Sequence, residues 1–217
     1  MLISHKKKFI FFHNYKVAGT SLRKYFREYQ NGFTPLLSKV LHRLGIQKIG
    51  PLKQFHSHLT PYEAKAYLSP EVFDNYFKFG FVRNPWSWQV SLYTYMLKTP
   101  HHPQHSLIKS MTGFDQYLDW RVNHDLKFQK DFFFDSGNQQ AVDFIGKIER
   151  LNDDVNTICD HIGIPFREIP RLNVSAKQKW TEFYDLKHFD LVAEVFKKDI
   201  EMFGYNDDPG HYGIKQR

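Results

Sequence analysis

With 217 residues, 41% of them apolar and 17% aromatic, the chain is long enough to bury a core without disulfide or metal staples and too apolar for disorder. The single cysteine, Cys159, rules out an internal disulfide and fits a reducing, cytoplasmic compartment. A formal charge of +7 points to an anionic partner, and no apolar run approaches the ~20 residues of a membrane span.

The first apolar patch, after the lysines of MLISHKKKFIFF, is too short for a signal peptide, and no small-residue cleavage site follows it. Lys8 to His13 reads instead as a strand buried on both faces. HNYKVAGTSL comes next, with Thr20 or Ser21 expected to cap a helix through LRKYFREY. Residues 32–51 show no clean period. TPYE, from Thr60 to Glu63, spells a capping box with proline at the first helical position, predicting a helix over Pro61 to Leu68.

Tyr76 to Val82 is the second predicted strand. RNPW ends it, where Asn84 caps and Pro85 starts a helix reaching about Leu97. Thr99 to Ser106 reads as a Pro/His loop, and Phe114 to Val122 as a helix. Val142 to Ile148 is a third strand, followed by a helix capped by Asn152 or Asp153 and stopped at Gly163. Apolar residues at helical spacing from Leu186 to Phe203 predict a last helix, ended by Gly204. Alternating strands and helices imply an α/β fold: a P-loop-like, mainly parallel sheet with helices on both faces, in one domain over residues 1–217. In such sheets ligands sit beyond the carboxyl ends of strands.

Both chemically distinctive loops lie there. In the first, Gly19 and the small Ala18 let an anion approach the backbone closely. The amides of Gly19 through Leu22 open a helix whose dipole favours negative charge, Thr20 and Ser21 add hydroxyls, and Lys16 adds an ammonium. In the second, FVRNPWSWQVSLY, Arg83 offers a bidentate fork, and Ser91 lies eight residues on within the following helix. Arg83 and Ser91 are placed to hold one anionic group together.

Jointly these loops resemble the sulfotransferases that use 3′-phosphoadenosine 5′-phosphosulfate (PAPS). HNYKVAGTSL is similar to that family's 5′-phosphosulfate loop, with Tyr15 where proline is common, and FVRNPWSWQVSLY to its 3′-phosphate motif. FIGKIERLNDDVNTICDHIGI, LNVSAK and KKDIEMFGY also look like family segments, so the resemblance spans about residues 8 to 205. Within the superfamily, FHSH resembles the carbohydrate sulfotransferases of the heparan and dermatan 2-O type, in which a histidine of a similar segment is the general base. That implies His58 or His56 as the base here, and a near-neutral imidazole suits removal of a sugar hydroxyl proton. Without the N-terminal anchor of the Golgi enzymes, the expected relative is a soluble, bacterial-like one.

The resemblance implies in-line sulfuryl transfer from PAPS to a hydroxyl, the acceptor being a glycan. Lys16 would stabilise the departing 5′-phosphate, Ala18 to Leu22 would hold the donor's 5′ end, and Arg83 with Ser91 its 3′-phosphate. No metal is expected, because the sulfuryl group carries less charge than a terminal phosphate. His101, His102 and His105 read as a loop rather than a metal site, and such a loop could border the acceptor. Ser175, Lys177 or Lys179 could close over the donor, and Trp86, Trp88 or Trp120 could stack on a sugar or fill the core. Two other functions compete. A P-loop small-molecule kinase needs a Gly-Lys-Ser/Thr ending and a magnesium carboxylate, neither of which appears. A non-catalytic polyanion binder needs a basic face, whereas the lysines and arginines are scattered, so nucleic acid is not an expected partner.

Overall fold

The computed structural model describes residues 1–30, 58–169 and 179–214. A four-stranded sheet in chain order carries the architecture: β1 (Leu2–Ser4), β2 (Phe9–Phe12), β3 (Phe77–Val82) and β4 (Phe144–Lys147). β2, β3 and β4 run parallel, with Phe12 opposite Gly80 and Val82 opposite Lys147. β1 returns antiparallel on β2 through a turn at the Lys6–Lys8 run, a strand the hydrophobic pattern did not reveal.

β2 shows why the sheet is covered on both sides. All four of its residues are buried, and they alternate between two packed layers. Phe9 and Phe11 pack with Phe26 of α1 (Gly19–Phe26) and with Val155 and Ile158 of α8 (Leu151–Ile162). Ile10 and Phe12 pack with Ala64 of α2 (Pro61–Lys65), Phe133 of α7 (Lys130–Phe133) and Phe203 of α10 (Lys197–Phe203). Each fully buried phenylalanine contributes roughly 1.5–3 kcal/mol. A third cluster joins α4 (Pro85–Lys98), α6 (Phe114–His124) and α9 (Leu186–Val195) around Trp86, Trp88 and Phe189. Both tryptophans therefore serve the core, not a sugar. Cys159 is fully buried in α8.

Local expectations fare unevenly. The capping box at Thr60 forms, though α2 stops at Lys65. Asn84 caps α4 by accepting from the Ser87 N–H at 3.1 Å, and Gly163 and Gly204 end their helices in the left-handed region. Thr20 and Ser21 do not cap α1: its N-cap is Ala18 in the left-handed region (φ 54°), and both hydroxyl residues already lie inside the helix. Asn152 and Asp153 do not cap α8 either, because a 3-10 turn over Ile148–Arg150 starts the helix before them. The helix predicted over Leu186 to Phe203 breaks at Phe196. The break lets Phe189, Val192 and Phe196 fill one cluster while Phe203 fills another. α3 (Pro70–Asn75), α5 (His105–Lys109) and α7 are short helices absent from the sequence reading.

Candidate active site

The chain leaves β2 at His13 and crosses Tyr15 to Ala18 before α1 begins. Lys16 and Ala18 both hold left-handed backbone, φ 60° and 54°, around a fully buried Val17. Such conformations are strained for residues with a Cβ and persist where the surroundings over-determine them. They turn the chain so tightly that α1 starts without any side-chain cap. Its first amides, from Gly19 to Ser21, are then free of intrahelical bonds. The Leu22 amide is not: it donates to the Ala18 carbonyl at 3.0 Å, and the Leu22 side chain is core. The run of free amides in this candidate cradle is thus one residue shorter than expected. Thr20 is exposed in it and Ser21 is buried.

His13 explains Gly19. A Cβ on Gly19 would lie 1.4 Å from His13 Nε2, so only glycine admits this ring against the helix start. The other side of His13 meets His58, with ring centroids 4.7 Å apart. His58 Nδ1 donates to the His13 carbonyl at 3.0 Å, which fixes the tautomer and leaves Nε2 with its lone pair when neutral. Burial lowers the pKa of His58, partly offset by that hydrogen bond, and burial with the neighbouring His58 pushes His13 down to about 3. Both imidazoles are neutral at neutral pH. His56 lies outside the described residues, as do Ser175 and Lys177. Lys179 is described and exposed.

Around His58 stand rings from distant parts of the chain. Tyr15 packs edge-on to His58 at 4.9 Å, and its hydroxyl meets His102 Nε2 at 3.2 Å. His102 Nδ1 accepts from the Gln104 N–H at 3.2 Å, so Nε2 carries the proton and donates to Tyr15. His102 is thereby held beside Tyr15. His105 instead turns its Nδ1 to the Met96 carbonyl at 2.8 Å, and His101 is exposed. Tyr95 of α4 packs against both Tyr15 and His102, and its ring lies under the Lys16 ammonium, 3.8 Å from Nζ to centroid.

At the end of β3, Arg83 is partly exposed and donates from Nε to Ser87 Oγ at 2.9 Å. Among the described residues no hydrogen bond or ion pair engages its terminal nitrogens. Glu149, just past β4, is close enough to stabilise the guanidinium charge, and it accepts from the Asn84 N–H at 2.8 Å and the Tyr205 hydroxyl at 3.2 Å. Arg83 in turn reaches Lys16 electrostatically. Burial first, then the Arg83 charge, brings the Lys16 ammonium down to about 8. Ser87, Ser91 and Tyr95 follow at intervals of four along α4, one above another on a single helix face about 12 Å long. The two predicted loops are therefore joined by one row of α4. Ser87 lies midway between Arg83 and Ser91 and Tyr95 four residues beyond Ser91, so a step of four would have found both from sequence. His13 and Glu149 carry no such mark.

Among the described residues no group of three or more His, Cys, Asp or Glu side chains could hold a metal ion, and no helix is long and apolar enough to cross a membrane. A family model described as the sulfotransferase family matches residues 1–206. The chain is also similar to an uncharacterized protein of Archaeoglobus fulgidus, 29% identical over 118 residues, which cover 51% of this chain and 87% of that protein.

Proposed function

The chain belongs to the sulfotransferase family, and from that premise we propose that it moves a sulfuryl group from PAPS to a carbohydrate hydroxyl. It would do so as a single-domain, cytoplasmic, bacterial-like relative of the heparan and dermatan 2-O enzymes. The observation that carries the donor assignment is the pairing of Lys16 and Arg83. Two cationic groups at the ends of adjacent parallel strands lie close enough for one to depress the other, and the terminal nitrogens of Arg83 are unpaired among the described residues. Such an arrangement suits a ligand with two separate anionic ends.

In this reading the hydroxyl loses its proton to His58 Nε2 as its oxygen forms the new O–S bond. The bond from sulfur to the bridging oxygen breaks, and its electron pair goes to the 5′-phosphate, where Lys16 and the amides of Gly19 to Ser21 meet the charge. Arg83 and Ser91 hold the 3′-phosphate, and Ser87, buried and donating to the Asn84 carbonyl at 3.1 Å, steadies the guanidinium by accepting from its Nε. The half-exposed rings of Tyr15, Tyr95 and His102 present apolar faces with polar rims to an acceptor, a surface suited to a sugar.

Calorimetric titration with 3′,5′-adenosine bisphosphate and with 5′-AMP, in the presence of a chelator, tests the donor site. Binding of the bisphosphate at least about 10-fold tighter than AMP is expected, since a charge-assisted fork adds about 1.5–3 kcal/mol. Arg83→Ala should erase that difference. Failure of folded protein to bind either nucleotide would overturn the proposal.

A further inference from the structure

We infer that Gln129 is a positioning residue that sets the preference for a 3′-phosphorylated nucleotide by clamping the Arg83 peptide. The inference rests on the donor reading above. The β3–β4 ladder ends at Val82 opposite Lys147, and β2 already ends opposite Gly80, so Arg83, the first residue after β3, has no strand beside it. Its backbone N–H and C=O would be orphaned there. Gln129 takes the place of the missing strand: its Oε1 accepts from the Arg83 N–H at 2.9 Å, and its Nε2 donates to the Arg83 carbonyl at 2.6 Å. A primary carboxamide has the one acceptor and one donor that a peptide group would offer, so glutamine meets both needs where a carboxylate or an alkyl chain cannot.

The clamp is itself anchored. Gln129 is fully buried, and its own N–H donates to Asp199 Oδ2 at 2.8 Å, while the next amide, Lys130, donates to Asp199 Oδ1 at 2.9 Å. Asp199 is fully buried on α10. Burial raises its carboxyl to about 6, so at neutral pH it is ionised and both bonds are charge-assisted. The path from α10 through Gln129 to Arg83 sets where the guanidinium fork starts. A bidentate grip on phosphate is lost by displacements of about 1 Å.

Gln129→Met keeps the size of the side chain and removes both bonds. In folded protein, checked by its thermal transition, affinity for 3′,5′-adenosine bisphosphate should fall about 10-fold or more while affinity for 5′-AMP changes less than about 2-fold. A general loosening of the fold would weaken both ligands alike and leave their ratio where it was. If Gln129→Met does not fold, Asp199→Asn carries the same test, because an amide can accept from only one of the two N–H groups and a fall of several-fold in the ratio is expected. Wild-type preference for the bisphosphate with an unchanged ratio in the folded variant would overturn this inference alone. Absence of that preference in the wild type would overturn the donor reading beneath it.

Discussion

The ammonium of Lys16 rests on the face of Tyr95, 3.8 Å from the ring centre, although the two residues come from opposite sides of the site. Lys16 belongs to the turn after β2 and Tyr95 to the last turn of α4. Burial first and then Arg83 bring Lys16 down to about 8, and the ring face opposes them by favouring the charged amine. The residue is thus charged at neutral pH but only by about one unit, unlike a solvated lysine.

In the proposed mechanism kcat/KM should therefore decline as pH rises through about 8, because Lys16 loses its proton there in the free enzyme. Lys16→Ala should lower kcat by about 10²-fold or more and abolish this alkaline limb. Tyr95→Leu should move the limb to lower pH, and Tyr95→Phe, which keeps the ring face, should leave it in place. A pH–rate profile of the three variants checks this, and an alkaline limb that survives in Lys16→Ala would remove Lys16 from the chemistry.

His58 should govern the acid side. Burial lowers its pKa, so kcat/KM should stay level from neutrality to below pH 6.5 and fall only where Nε2 takes up a proton. His58→Ala should cost about 10²–10⁴-fold in kcat with bisphosphate affinity unchanged. Loss of donor binding instead, measured by calorimetry, would make His58 a structural support of the His13 turn.

The turn itself offers a paired test of opposite sign. Ala18 is left-handed, so Ala18→Gly should relieve about 1 kcal/mol of strain, offset in part by the added freedom of the unfolded chain, and raise Tm slightly. Gly19→Ala should drive its methyl into His13, destabilise the fold by about 1–3 kcal/mol and displace His58 with it. Differential scanning calorimetry of both variants measures these shifts, and a neutral Gly19→Ala would mean that His13 has room to move.

Much of this molecule is written in short-range pattern. The buried run of β2, the YFKFGFV strand and the punctuation of RNPW and TPYE depend on neighbours within a few residues, and they appear where expected. The loop residues Lys16, Gly19 and Arg83 stand out in sequence because the anion site proposed for them demands particular residue types in a particular order. What the pattern could not contain is pairing across the chain. β1 is too short for a periodic signal and exists because β2 offers it an edge. The start of α1 is set by the left-handed turn at Ala18, which removed the capping role given to Thr20 and Ser21 and took the Leu22 amide into the helix. Gln129, Asp199 and Glu149 are ordinary residues in sequence, 46, 116 and 66 positions from Arg83 by their numbers. Only closure of the parallel sheet, and the packing of α4, α7 and α10 on it, brings their polar groups to the same strand end, where the ladder stops and backbone groups need partners.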